Sequence, residues 1–99
     1  MHKRTKALAI PPSVKLAVLE RDNGKCVICG RNGEPCAHFI PRSRGGLGIE
    51  QNIVTLCRDC HHDYDNSYKR PFYREIIREH LEEFYPNFSD EDRVYKKWR

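Results

Sequence analysis

Two Cys-x-x-Cys pairs, Cys26/Cys29 and Cys57/Cys60, are the first residues of this chain suited to chemistry. A two-residue spacer lets both sulfurs of a pair reach one ion from a single turn, and four thiolates satisfy the tetrahedral preference of zinc. The chain has five cysteines, an odd number with four of them paired this way, which favours a metal over disulfides. A structural Zn2+ on Cys26, Cys29, Cys57 and Cys60 is therefore expected. Residues 30–56 separate the pairs, a longer gap than in a simple zinc ribbon. The ion then staples the ends of a module whose middle is free for another task. The fifth cysteine, Cys36, reads as a small strand residue.

A second set, His38, His61 and Asp65, lies within or just after that module. Histidine is the side chain whose unperturbed pKa lies near neutrality, so it suits a general base. His61 and Asp65 are spaced i, i+4, face the same way on a helix, and can hold one divalent cation together. One imidazole, one carboxylate and waters suit Mg2+, Mn2+ or Ni2+. Arg42 and Arg44, beside Gly45 and Gly46, offer planar forks for phosphate. Hydrolysis of a phosphodiester needs these parts: a base near neutrality and a cation to offset charge building on the leaving oxygen.

The elements that position these residues follow from local signals. Residues 1–12 read as a mobile basic arm ending in Ile10-Pro11-Pro12. Ser13 is placed to cap a helix carrying Val14, Leu16, Ala17, Val18 and Leu19, and Asn23-Gly24 to stop it. Glu34 to Ile40 reads as a short strand, residues 41–51 as a glycine-rich loop, and residues 52–56 as a second strand. A helix should begin at Cys57. Pro71 suits a first helical turn, and Phe72, Ile76, Ile77, Leu81 and Phe84 form an apolar stripe read as core. Ser89-Asp90-Glu91-Asp92 resembles a capping box opening a short last helix, with Lys96, Lys97, Trp98 and Arg99 behind it. His2 and His80 carry no signal of their own.

Ninety-nine residues make one small domain, 13–99, with a core over 24–66 and a C-terminal helical extension over 71–99. Hydrophobic residues are 38% and charged residues 32%, ordinary for a soluble fold. The net charge of +4 permits a polyanionic partner without requiring one. No apolar run approaches the length of about 20 residues that crosses a bilayer. The basic N-terminus lacks the apolar segment of a secretory signal, so a cytoplasmic setting and no membrane partner are expected.

The strings Cys26-Val-Ile-Cys29-Gly30, His38-Phe-Ile-Pro41-Arg-Ser-Arg-Gly45-Gly46 and Asn52-Ile-Val-Thr-Leu-Cys57-Arg-Asp-Cys60-His61 resemble an HNH endonuclease with a four-cysteine zinc. The resemblance covers residues 24–66. It implies an α+β chain built on a ββα-metal module, with flanking N- and C-terminal helices, and hydrolysis of DNA. It also implies His38 as general base, Asn52 as the brace of the loop, and His61 as a ligand of the catalytic ion. One position departs from the family pattern: the residue before the base, usually Asp or His and a metal ligand, is Ala37. Three outcomes stay open at that point. The site works with His61, Asp65 and water; or Glu34 substitutes; or catalysis is weak, leaving a zinc-stabilised DNA-binding module as the alternative function. A register with His38 as ligand, or with His62 in place of His61, is the minor reading. Phage packaging, restriction systems and mobile elements all use such chains, so partner proteins, strand specificity and oligomeric state are not legible here. With few side chains available to read bases, phosphate contacts and DNA shape are expected to dominate recognition.

Overall fold

The structure is a computed structural model describing residues 3–96. Helices α1 (Lys3–Leu8) and α2 (Pro12–Arg21) precede strand β1 (Glu34–His38). A single 3-10 turn at Arg42–Arg44 leads to strand β2 (Ile53–Leu56), then to helices α3 (Arg58–Asn66) and α4 (Arg70–Phe84), and a 3-10 turn at Asp90–Arg93. The expected α+β class and strand–loop–strand–helix order are observed.

Strands β1 and β2 pair antiparallel, with Ala37 opposite Val54 and His38 opposite Ile53. The register slips between Glu34 and Ala37, where Pro35 lacks the N–H that a regular ladder would use. Beyond the slip the alternation is clean. Ala37 and Phe39 are fully buried in the core, whereas Cys36 and His38 are half-buried and line surface cavities. The core gathers Ala37, Phe39, Ile40, Val54 and Leu56 from the strand region with Tyr64, Ile77 and Leu81 from the helices, and Cys26, Cys57 and Cys60 join it.

Several local expectations are revised. Residues 3–8 form a helix rather than a mobile arm, and Leu8, only 3% exposed, anchors it. Ser13 does not cap α2. The helix starts at Pro12, whose fixed φ suits a first turn and whose missing N–H costs nothing there. Asn23 and Gly24 end α2 with φ of 55° and 67°. In α4 only the central part of the apolar stripe is core: Ile77 and Leu81 are buried, while Phe72 and Phe84 are exposed. Ser89 does close a capping box with Asp92, over a 3-10 turn. Lys97, Trp98 and Arg99 lie outside the described residues.

His80, silent in the sequence, is one arm of a buried network. Its Nε2 donates to Asp22 Oδ1 at 2.7 Å, and Arg21 grips both Asp22 oxygens at 2.8 and 2.9 Å. Thr55 N–H also donates to Asp22, and Arg21 reaches the Glu50 and Ile53 carbonyls at 2.8 Å each. One carboxylate thus ties α2 and α4 to β2. Burial pushes the Asp22 carboxyl up, but the hydrogen bonds from His80 and Arg21 outweigh it and hold it well below the usual carboxylate range. Removing it strands a buried guanidinium. Asp22→Ala should lower the unfolding free energy by about 3–5 kcal/mol in urea denaturation of metal-loaded protein at pH 7. A loss below about 1 kcal/mol would show that the network contributes little.

Candidate metal centre and adjoining cavity

The knuckle at Cys26–Cys29 folds under the junction of β2 and α3. Gly30, at φ 78°, lets its N–H reach the Cys26 carbonyl at 2.9 Å. Cys57 is the N-cap of α3, its sulfur accepting from Cys60 N–H at 3.4 Å. The four sulfurs of Cys26, Cys29, Cys57 and Cys60 all lie within 4.8 Å of one another, and Cys29 and Cys57 are 3.6 Å apart. Tetrahedral thiolates on one ion with bonds of about 2.3 Å stand about 3.8 Å apart, so the donor set fits a metal ion. Arg31 donates to Cys29 Sγ at 3.3 Å, and this contact lowers the Cys29 thiol to about 6, favouring the thiolate a metal requires.

On the opposite side of β1 lies a cavity of about 440 Å³. It brings together His38 and Cys36 from β1, Arg42 from the loop, His61 and Asp65 from α3, and Arg70 from α4. Lys15 lines it as well, so three cationic side chains face one carboxylate. A neighbouring cavity of about 640 Å³ shares Cys36, His61 and Asp65 and adds Glu34 and His62. Arg44 is exposed on the loop but does not line either cavity. His61 Nε2 stands 3.5 Å from Asp65 Oδ2, as the i, i+4 spacing expects, and His61 Nδ1 stands 3.7 Å from Cys36 Sγ. His62 instead turns towards Asn66, on a more exposed face.

His38 is held from a direction the sequence does not advertise. Its Nε2 lies 2.9 Å from the carbonyl oxygen of Leu8, at the end of α1. A carbonyl only accepts, so Nε2 carries the proton and Nδ1 is left as the basic nitrogen. Burial lowers the His38 pKa, with Arg42 and His61 adding to the effect against the Leu8 carbonyl, so the ring is neutral at pH 7.

The loop between the strands is built around Asn52, which is fully buried. Its Oδ1 accepts from Ile40 N–H at 2.9 Å, and its Nδ2 donates to the carbonyls of Ile40 at 3.2 Å and Leu47 at 2.9 Å. Gly46 is not a flexible joint but a close approach: a Cβ there would sit 1.7 Å from the Ile40 carbonyl oxygen. Gly48 is similar against Ala9. The loop is therefore clamped at both ends, and the 3-10 turn presents Arg42 to the cavity. Ala37, the apparent gap in the family pattern, faces the core and so takes nothing from the cavity wall. The residues missed in the sequence are Leu8, which acts through its backbone and so has no side-chain signal, and Lys15 and Arg70, ordinary surface cations until the fold gathers them. Asn52→Ala should cost about 1–3 kcal/mol of stability by leaving the Ile40 N–H buried without a partner. Thermal or urea unfolding at constant metal load checks it, and a cost under about 1 kcal/mol would remove Asn52 from its place as the loop's clamp.

Comparison with known proteins agrees with the geometry. The family model for HNH endonucleases matches residues 26–67. The chain is also 32% identical over 88 residues to the type IV methyl-directed restriction enzyme EcoKMcrA of Escherichia coli (strain K12), a match covering 79% of this chain. It spans only 29% of that protein's length. With two cysteine knuckles, a histidine-bearing strand, a clamped loop and a histidine-bearing helix in family order, residues 26–67 carry an HNH endonuclease domain.

Proposed function

We propose that this protein is a metal-dependent endonuclease that hydrolyses phosphodiester bonds in DNA, with His38 as general base. The observation that carries this reading is the cavity itself. It holds an imidazole with a free basic nitrogen, a histidine–carboxylate pair suited to a divalent cation, and three cationic side chains on one wall system.

Each group has a role its chemistry supports. His38 Nδ1 takes the proton of a water attacking phosphorus, while the Leu8 carbonyl fixes the ring and stabilises the imidazolium that results. Arg42, with Lys15 and Arg70, draws the phosphate in, and exposed Arg44 contacts the backbone further along the strand. Asn52 keeps the loop, and hence Arg42, in register with His38. The His61–Asp65 pair would hold the catalytic divalent ion, Mg2+, Mn2+ or Ni2+, whose positive charge would offset charge developing on the phosphate. Cys26, Cys29, Cys57 and Cys60 would hold a structural zinc ion, all four donors being protein sulfurs. DNA as substrate is supported by the family and by the restriction enzyme it is similar to.

Supercoiled-plasmid nicking with EDTA, Mg2+, Mn2+ or Ni2+ tests the whole reading. His38→Ala should slow metal-supported nicking about 10²–10⁴-fold with fold, zinc content and DNA binding intact. Nicking that survives unchanged in that variant would refute His38 as base. Deleting residues 1–9 should lower turnover on the order of 10²-fold by releasing the ring from the Leu8 carbonyl. The truncated protein should retain its zinc.

The zinc assignment has a separate test. Cys57→Ser, or a strong chelator, should unfold the domain by circular dichroism, because a structural site supplies folding free energy directly. A folded, zinc-loaded Cys57→Ser protein would overturn the four-thiolate site.

A further inference from the structure

Cys36, the fifth cysteine, stands where a ligand could replace the one that Ala37 does not supply. Ala37 points into the core, whereas Cys36 and His38 share the opposite face of β1. Cys36 lines both cavities, and so do His61 and Asp65. Its sulfur stands 3.7 Å from His61 Nδ1. With metal–sulfur and metal–nitrogen lengths of about 2.3 and 2.0–2.1 Å, two donors on one tetrahedral ion are about 3.6 Å apart. The observed separation is close to what two ligands sharing an ion would show.

An imidazole offers only one nitrogen to one ion. His61 presents Nδ1 to Cys36 and Nε2 to the Asp65 carboxylate, 3.5 Å away. A ligating histidine usually gives its other ring N–H to a carboxylate, which fixes the tautomer and raises the basicity of the bound nitrogen. We propose that Cys36 Sγ and His61 Nδ1 are the protein ligands of the catalytic ion, with Asp65 as the positioning carboxylate behind the ring. This rests on the nuclease reading and refines it, moving Asp65 from ligand to partner of His61. His38, two residues along the same strand face, then borders the ion's position, and Arg42 flanks it in the same cavity. A thiolate ligand also changes the choice of metal. Soft sulfur favours Co2+, Zn2+ and other transition ions over Mg2+, so Mg2+ should be the poorest activator.

The test is optical and does not depend on turnover. Protein with its four-cysteine site filled by zinc is titrated with Co2+, and its zinc content is measured in the same samples. While zinc is retained, Cys36 is the one cysteine outside the cluster. A near-ultraviolet sulfur-to-cobalt band saturating at one equivalent is therefore expected from Cys36 alone. Cys36→Ser should abolish the band, His38→Ala should leave it in place, and Asp65→Asn should keep it with about 10–100-fold weaker Co2+ binding. Zinc-retaining wild-type protein with no such band overturns the proposal, whether or not the variants fold. An unchanged band in Cys36→Ser, or a band lost altogether in folded Asp65→Asn, overturns it as well. Parallel plasmid nicking separates the two readings. Nicking without the band sinks the Cys36 site and leaves the nuclease standing, whereas the band without nicking does the reverse.

Discussion

Four sulfurs from two distant turns converge within 4.8 Å, and the rest of this small domain is arranged around that convergence. A chain of this size has little apolar area to bury, and among the described residues a two-stranded sheet joins its helices. With a metal bound, the cysteine cluster would do what a larger core otherwise does. It pins the turn before β1 to the end of β2 and the start of α3, with Cys26, Cys57 and Cys60 packed against Leu56 and Tyr64. Cys57 caps α3, the helix that carries His61 and Asp65, so the cluster and the cavity share one element.

The cavity depends equally on backbone polar groups that need partners. Asn52 meets three of them in the loop, the Leu8 carbonyl takes one from His38, and Gly46 and Gly48 let chain segments approach closer than any side chain would allow. These contacts are short, directional and mostly buried, which makes the loop a rigid bracket rather than a lid. A ligand reaching Arg42 would therefore meet a cavity wall already in position, with little binding energy spent on ordering it.

Helix α1 couples the N-terminal segment to the site. Its basic residues Lys3, Arg4 and Lys6 are exposed, while its last carbonyl orients His38. Charge for a polyanion and alignment of the ring thus come from one short element. On the opposite flank, the Arg21–Asp22–His80 network holds α2 and α4 against β2, using a carboxylate kept ionised by its donors. The helices added around the ββα module are part of its support.

Much of the site was legible in the residue types. Two Cys-x-x-Cys pairs determined a cluster of sulfurs able to hold a metal because the spacing brings sulfurs to one turn. The His38–loop–Asn52–His61 order determined the module because strand, turn and helix signals agree locally. Even the i, i+4 pairing of His61 with Asp65 followed from helix geometry. Tertiary structure alone decided the remainder. Which face Cys36 and Ala37 take depends on a register slip at Pro35, and a one-residue slip exchanges the faces of a strand. The partner of His38 is a backbone oxygen thirty residues away, which no side-chain pattern encodes. His80 gained its meaning only by meeting Asp22 across the fold, and Phe72 lost its place in the core because helical periodicity gives a face but not what covers it. Local spacing fixes which atoms can cooperate along a turn; contacts between distant segments exist only once packing has chosen them.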